Sequence, residues 1–179
     1  SIQRYGQNER SLFSFLNAKG NYSLNAFKPK GNRTYNLAEV YDYVVNSYHS
    51  YLNEANSDSS NWASIRIAIE RVEGGDWKES QQMLDAIKMV KAIGMLNLFG
   101  NAGFLMTTVD MAEYADMALD IEYSSTIISE LIRQKIVRYA EYKKRLILFE
   151  GTDINIEEEV ARAGLVIPKP INFVDDLRL

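Results

Sequence analysis

Cysteine is absent from this chain, and histidine occurs only once in its 179 residues. The chain therefore cannot form disulfides or a thiolate metal site, and a lone histidine cannot build a zinc site. We expect no metal site. The lack of cysteine fits a reducing cytoplasm, where we expect the protein to work. No apolar run approaches the roughly 18 residues of a membrane span, so we expect no contact with a membrane.

Catalytic motifs are also absent. The sequence contains no Walker A motif, no glycine fingerprint for a dinucleotide and no His-Glu-x-x-His pair. Asp116 and Asp120 are four residues apart on a predicted helix, a spacing that could hold a hard cation. Such cations need further oxygen ligands from loops, so a solvated acidic face is favoured. We therefore predict no catalytic site, and no cofactor bound by this chain itself.

Charge is distributed unevenly around a net value of -4. Residues 110–122 carry five carboxylates and no Lys or Arg, whereas residues 133–145 carry six basic side chains. A polyanion such as DNA would need a locally basic surface on a chain with this net charge. Any contact with DNA would therefore depend on the second of these segments.

Hydrophobic periodicity predicts helices over residues 4–17, over residues 37–52 and from Trp62 to the "EGGD" stop at residues 73–76. Five tyrosines lie on or beside the second helix: Tyr35, Tyr41, Tyr43, Tyr48 and Tyr51. Aromatic rings can stack on bases, but no basic residues alternate with these. Packing in the core or in an interface is therefore favoured for them.

From Trp77 onward the pattern indicates three helices. A long helix ends near Gly100, and Thr107 with Asp110 fits a capping box at the start of the second. Ser124 or Ser125 is the expected cap of the third helix. The residues expected to face inward from it are Ile127, Ile128, Leu131, Ile132 and Ile136.

The period then changes from helical to alternating. The runs 137–142 and 145–149 are rich in β-branched and aromatic residues and flank Lys143 and Lys144, which predicts a β-hairpin. We therefore predict a mainly α protein with a small β-hairpin, in which a helical N-terminal region is followed by a winged helix-turn-helix. The expected division is 1–76 for the helical region, 77–155 for the winged helix-turn-helix and 156–179 for an acidic connector containing prolines.

Residues that could contact DNA or a partner protein lie on the third helix and on the hairpin. On the helix they are Ser129, Arg133 and Gln134, and on the hairpin they are Lys143, Lys144 and Arg145. In a winged helix-turn-helix the third helix enters the major groove and basic residues of the wing hold phosphates. Glu130 and the acidic second helix oppose DNA, so contact with a protein or with another domain is favoured.

Three stretches carry a resemblance to a known family. They are "GQNERSLFSFL" (6–16), "AIKMVKAIGMLNLFG" (86–100) and "RLILFEGTDINIEEEV" (145–160). They resemble segments that follow the nucleotide-binding core in large prokaryotic P-loop ATPases of the AAA+ and origin-recognition-like type, many of them associated with phage defence. The third stretch resembles the wing exit "Trp-Glu-Gly-Ser-Asp", with Phe149 and Thr152 replacing Trp and Ser.

The resemblance implies that this chain is the lid-like and winged-helix part of such an ATPase, whose core would lie elsewhere in the same polypeptide and bind ATP and Mg²⁺. The first residue is Ser rather than Met, which also favours a piece of a longer protein. The resemblance further implies a nucleotide-sensing arginine, for which Arg10 is the first candidate and Arg4 the second. The alternative is an ordinary surface arginine beside Glu9.

The leading hypothesis is thus a non-catalytic regulatory and coupling region of a P-loop ATPase, whose winged helix contacts another domain, a partner protein or DNA. One alternative is an autonomous winged-helix regulator that binds DNA through Arg133 and the tip of the hairpin. A second alternative is a protein-interaction scaffold built on the tyrosine-rich helix.

Overall fold

The fold is known from a computed structural model that describes residues 15–16, 22–28, 34–53, 59–101 and 103–149. In the range 34–53, side chains are described as far as residue 48. All of these residues belong to the compact unit that ends at Phe149. The elements, in order, are a 3-10 turn (Leu24–Ala26), α1 (Leu37–Asn53), α2 (Ser59–Glu73), α3 (Ser80–Phe99), α4 (Thr108–Tyr114), a π-helix (Ala115–Leu119), α5 (Ser124–Arg133), β1 (Val137–Ala140) and β2 (Arg145–Leu148). This confirms a mainly helical protein with a small antiparallel sheet.

Helix α3 is the centre of the core. Eight of its residues are buried, among them Met89, Val90 and Ile93, which have no exposed surface. Helix α2 packs closely against α3 at Gly94, where an added Cβ would lie 2.5 Å from Ile65 Cγ1. Glycine at this position therefore allows the two helices to approach each other.

Buried residues on both sides of residue 76 belong to one hydrophobic cluster. The Trp62 ring on α2 lies 6.4 Å from the Phe99 ring on α3 and 5.8 Å from the Tyr41 ring on α1, measured between centroids. The helical region and the region predicted as a winged helix thus share a core. The boundary at residue 76 stays a prediction.

The start of α1 is attached to the segment where α4 becomes a π-helix. Asn36 Oδ1 accepts hydrogen bonds from the backbone N–H groups of Ala38 and Glu39, which caps α1. Asn36 Nδ2 donates to the Ala118 carbonyl at 3.0 Å, and the Leu37 N–H donates to Tyr114 Oη at 3.0 Å. These two bonds connect residues that are 82 and 77 positions apart in the sequence.

The two strands pair antiparallel, from Val137 opposite Leu148 to Ala140 opposite Arg145. The other edge of β2 is bridged by Met106, from the segment between α3 and α4. Met106 N–H donates to the Lys144 carbonyl, and the Leu146 N–H donates to the Met106 carbonyl, each at 3.1 Å. The hairpin is therefore attached to the helices by backbone hydrogen bonds.

Several local predictions are confirmed and others are wrong. Thr107 and Asp110 form the predicted capping box, with the Thr107 N–H donating to Asp110 Oδ2 at 2.8 Å. The predicted cap of α5 is wrong, because Ser124 is buried and already helical while Tyr123 precedes it with a φ of 63°. Tyrosine rarely adopts this left-handed conformation, so it could not be anticipated from the residue type.

Ile132 was expected to face inward and is 37% exposed, whereas the other four residues of that set are buried. Successive residues of an α-helix are rotated by about 100° about the helix axis. Ile132 therefore lies at the edge of the buried face that contains Leu131. Strand β1 ends at Ala140 rather than Tyr142, because Glu141 to Lys144 form the turn. The predicted helix over residues 4–17 lies outside the described residues except for Phe15 and Leu16, which are helical.

Candidate interaction surface

Three side chains of α5 point outward from the core. Ser125, Ser129 and Arg133 are exposed and are spaced four residues apart, so they share one face of the helix. The opposite face buries Ile127, Ile128 and other apolar residues. The outward face therefore includes two of the predicted contact residues, Ser129 and Arg133.

Arg133 is exposed, yet its guanidinium already has a partner. Arg133 Nε donates to Glu130 Oε2 at 2.8 Å, and Arg133 Nη2 donates to Glu130 Oε1 at 2.5 Å. The hydrogen bonds that Arg133 and Gln134 donate hold the pKa of Glu130 at about 2, and acceptance by the Glu130 carboxylate raises the pKa of Arg133. The arrangement is the bidentate fork that a guanidinium would otherwise offer to a phosphate or a guanine.

Gln134 completes this arrangement. Its Nε2 donates to Glu130 Oε1 at 2.6 Å and to the Asp76 carbonyl at 3.3 Å. An added Cβ at Gly75 would lie too close to Gln134 Oε1, so a side chain there would require Gln134 to shift. We call Glu130, Arg133 and Gln134 the α5 clasp. In the clasp, the polar groups of Arg133 and Gln134, which were predicted to contact DNA or a partner protein, form hydrogen bonds to Glu130 instead.

The tip of the hairpin presents two exposed lysines. Lys143 Nζ lies 5.2 Å from the centroid of the Tyr142 ring, and Lys144 adopts a φ of 48° in the turn. Within the described part of the chain, neither lysine takes part in an ion pair. These two ammonium groups are therefore free to meet an anion.

Arg145 does not share this position. It is the first residue of β2 and is partly buried, and its Nε is buried without a hydrogen-bond partner among the described residues. The four residues of β1 separate the tip from the end of α5 by about 13 Å along the strand. The candidate residues thus form two groups, one on α5 and one at the tip of the hairpin.

The outward face of α4 and the π-helix combines carboxylates with apolar side chains. Its exposed residues are Val109, Asp110, Glu113, Asp116, Met117 and Asp120, which we call the acidic strip. Met117 is 80% exposed and Val109 is 62% exposed. The carboxylates of the strip are visible in the sequence, but Val109 and Met117 were not predicted to be exposed. The position of these two residues among acidic ones could have indicated that they face outward.

Asp116 and Asp120 are both exposed on the acidic strip. In the part of the chain that the structure describes, no group of three or more His, Cys, Asp or Glu side chains could hold a metal ion. The helices in that part are also too short or too polar to cross a membrane.

The tyrosines of α1 contribute to the core. Tyr41 and Tyr43 are buried, and Tyr35 and Tyr48 pack against the same cluster. Burial, with a contribution from Asp42, raises the pKa of Tyr41 to about 12. The Tyr51 side chain lies outside the described residues. This packing supports the core role of the tyrosines over an exposed scaffold surface.

The two candidate nucleotide-sensing residues, Arg10 and Arg4, lie outside the described residues, as does the wing exit beyond Phe149. No protein-family model, no curated protein and no solved structure matches this chain. The relation to AAA+ and origin-recognition-like ATPases therefore stays an expectation from the three similar stretches.

Proposed function

We propose that this chain is a non-catalytic coupling module of a P-loop ATPase and that its C-terminal half is a winged helix-turn-helix that contacts a protein rather than DNA. The order α3, α4, α5 and hairpin supports the winged-helix assignment, with α5 as the third helix and β1–β2 as the wing. The backbone bridge from Met106 to Arg145 supports it further, because it adds a third short strand position beside β2.

The α5 clasp is the observation that carries the preference for protein over DNA. Arg133 is the only Lys or Arg on α5, and Glu130 holds it through two hydrogen bonds. Neutralisation of phosphates by cations supplies most of the non-specific affinity for DNA. To enter a major groove, α5 would have to release Arg133 and place the Glu130 carboxylate near the phosphates. The acidic strip on the preceding helix adds to that cost.

The coupling role is supported by the attachment of α1 to the π-helix. A displacement of α1 would act on Ala118 through Asn36 and on Tyr114 through Leu37. Single π-helical turns are often found at functional sites, because the extra residue alters the backbone locally. A nucleotide-dependent movement of the helical region would thus reach the winged half through these two bonds.

The ATPase context rests on the three similar stretches. In this proposal ATP and Mg²⁺ are bound by a core elsewhere in the polypeptide, and Arg10, or in second place Arg4, senses the phosphates. An arginine suits this task because its planar fork is permanently charged and matches phosphate oxygens. The purified chain should then hydrolyse ATP at background level only, and turnover well above background would contradict the proposal.

A DNA-binding regulator is the second candidate, and the exposed Lys143 and Lys144 favour it. A titration of a fluorescent duplex at several salt concentrations separates the two candidates. We expect no binding at low salt. Binding that weakens steeply with salt and is lost in a Lys143→Ala/Lys144→Ala variant would favour the DNA regulator. The control is Lys28→Ala, which removes an exposed lysine outside α5 and the hairpin.

A further inference from the structure

We propose that the acidic strip docks a basic amphipathic helix of a partner protein. The apolar side of that helix would cover Val109 and Met117, and its Lys and Arg side chains would pair with the carboxylates of the strip. This inference rests on the proposed function, because it names the class of partner that the winged half contacts. It also assigns the contact to α4 and the π-helix rather than to α5.

The apolar part of the strip comes from two side chains on one outward face. Inward-facing residues of the same segment, such as Met111 and Ala115, have no exposed surface, so Val109 and Met117 lie on the side away from the core. Single exposed apolar residues are common and need no explanation. Here two largely exposed apolar residues, Val109 and Met117, lie on either side of Glu113 and Asp116 on one short face. The face extends for about 17 Å, which matches three turns of a partner helix.

The charged part of the strip lacks a partner within the described structure. Neither Glu113, Asp116 nor Asp120 takes part in any ion pair among the described residues. Residues 92–132 contain no Lys or Arg at all. The nearest cation in the sequence, Arg133, is already held by Glu130. A partner with positive charge would complement this face, and such complementarity speeds association and gives specificity.

A second copy of this chain is a less suitable occupant. Among the residues that the structure describes, exposed Lys143 and Lys144 lie beside exposed Tyr142 on a turn of four residues, and we take this turn as the basic surface that a second copy would offer. Such a turn buries much less than the roughly 800 Å² per partner of a standard stable interface. A basic amphipathic helix of three turns has the length, the apolar side and the positive charge that match the strip.

The test uses the full chain and a designed 15-residue helical peptide, with leucines along one face and lysines on both sides of them. A second peptide replaces each lysine with glutamate. We expect the lysine peptide to bind at least about tenfold more tightly than the glutamate peptide, and to lose affinity as salt screens the charges. Titration calorimetry at two salt concentrations measures both effects.

Two double variants locate the binding site. Val109→Ser/Met117→Ser should weaken the lysine peptide about tenfold through lost apolar burial. Glu113→Gln/Asp116→Asn should weaken it about fivefold and reduce its salt dependence. The controls are Ile67→Ser, which alters an exposed apolar residue on α2, and Glu73→Gln, which removes a carboxylate there; both should bind as the unchanged chain does. Because the altered residues are exposed, circular dichroism should show an unchanged fold.

Equal binding of both peptides, or strip variants that bind as the controls do, would overturn the assignment. So would a stable dimer of the chain that the strip variants dissociate, since the occupant would then be a second copy. The DNA titration is independent of these results. If the peptide test fails and the chain binds no DNA, the acidic strip is not the docking site, but the proposed function with a protein contact at another surface stands. Strong DNA binding would instead reject the proposed function itself.

Discussion

The carboxylate of Glu130 holds the guanidinium of Arg133 through two hydrogen bonds, of 2.8 Å and 2.5 Å, on the exposed side of α5. In a winged helix-turn-helix that reads DNA, this helix and this type of side chain would face the bases. The pairing supports the proposal that this helix contacts a protein rather than DNA, even though its arginine is accessible. It also yields a direct test in solution.

The Glu130 carboxyl should titrate far below its ordinary range. Its pKa is about 2 in the folded chain against an ordinary value of 4.5, mainly because of the hydrogen bond from Arg133. At about pH 3 most of this carboxyl should still be ionised, as ¹³C NMR of the side-chain carboxyl carbon would show. In Arg133→Ala the pKa should move back towards 4.5. A midpoint near 4.5 in the unchanged chain would mean that the clasp is not formed in solution.

The sign of the pH effect on stability follows from the same pKa. A carboxyl whose folded pKa is depressed contributes stability that is fully present above its unfolded pKa and is lost as the pH falls towards the folded value. For Glu130 that window lies between 4.5 and about 2. Because the Arg133 side chain is largely exposed and that of Glu130 partly so, the contribution of the pair should be small and should decrease with added salt.

Gly94→Ala should destabilise the fold. The new methyl group would lie 2.5 Å from Ile65 Cγ1 and 2.8 Å from Ile65 Cδ1, and Ile65 is buried. Overpacking of this kind costs about 1–3 kcal/mol, of which the better helix propensity of alanine offsets a part. Urea denaturation should therefore show a lower free energy of unfolding. Gly103→Ala is the control, because nothing lies within 4 Å of an added Cβ there; an equal loss in both variants would contradict the close contact of α2 with α3.

Asn36 should contribute to stability in two separable ways. Asn36→Ser keeps an oxygen that caps α1 but removes the amide that donates to Ala118, so it should cost about 0.5–1.5 kcal/mol. Asn36→Ala also removes the cap and should cost about 1 kcal/mol more. Urea denaturation measures both variants. Hydrogen exchange should also become faster at the π-helix in both, and unchanged exchange there would contradict the attachment of α1 to this segment.

Much of the fold could be predicted because its signals are local. The helical periods of α1, α2 and α3, the capping box at Thr107 and Asp110, and the change to an alternating pattern after Ile136 each depend on neighbouring residues. The π-helix was not predicted, because one extra residue per turn leaves little trace in a hydrophobic pattern. The bond from Asn36 to Ala118 joins residues 82 positions apart, and local patterns carry no information on it.

The candidate site was predicted less well than the fold. Glu130, Arg133 and Gln134 are at spacings that allow side-chain pairs on one helix face, so the clasp had a visible signal. From the sequence, Arg133 and Gln134 were predicted to contact DNA or a partner protein, and Glu130 was considered only as a charge that opposes DNA. Spacing shows which partners are within reach but does not show which partner a side chain selects. The Asp76 carbonyl, which fixes Gln134, comes from a distant part of the chain.

The affinity for DNA of Glu130→Gln relative to the unchanged chain tests the central claim most directly. Both are titrated into a fluorescent duplex at low salt, with Glu73→Gln as a control for the loss of one exposed carboxylate. We predict that the unchanged chain and the control bind no DNA, whereas Glu130→Gln gains measurable, salt-dependent binding, because the change frees the Arg133 guanidinium and removes one carboxylate. The gain should disappear in Glu130→Gln/Arg133→Ala. Micromolar binding by the unchanged chain, with no gain in Glu130→Gln, would contradict the account.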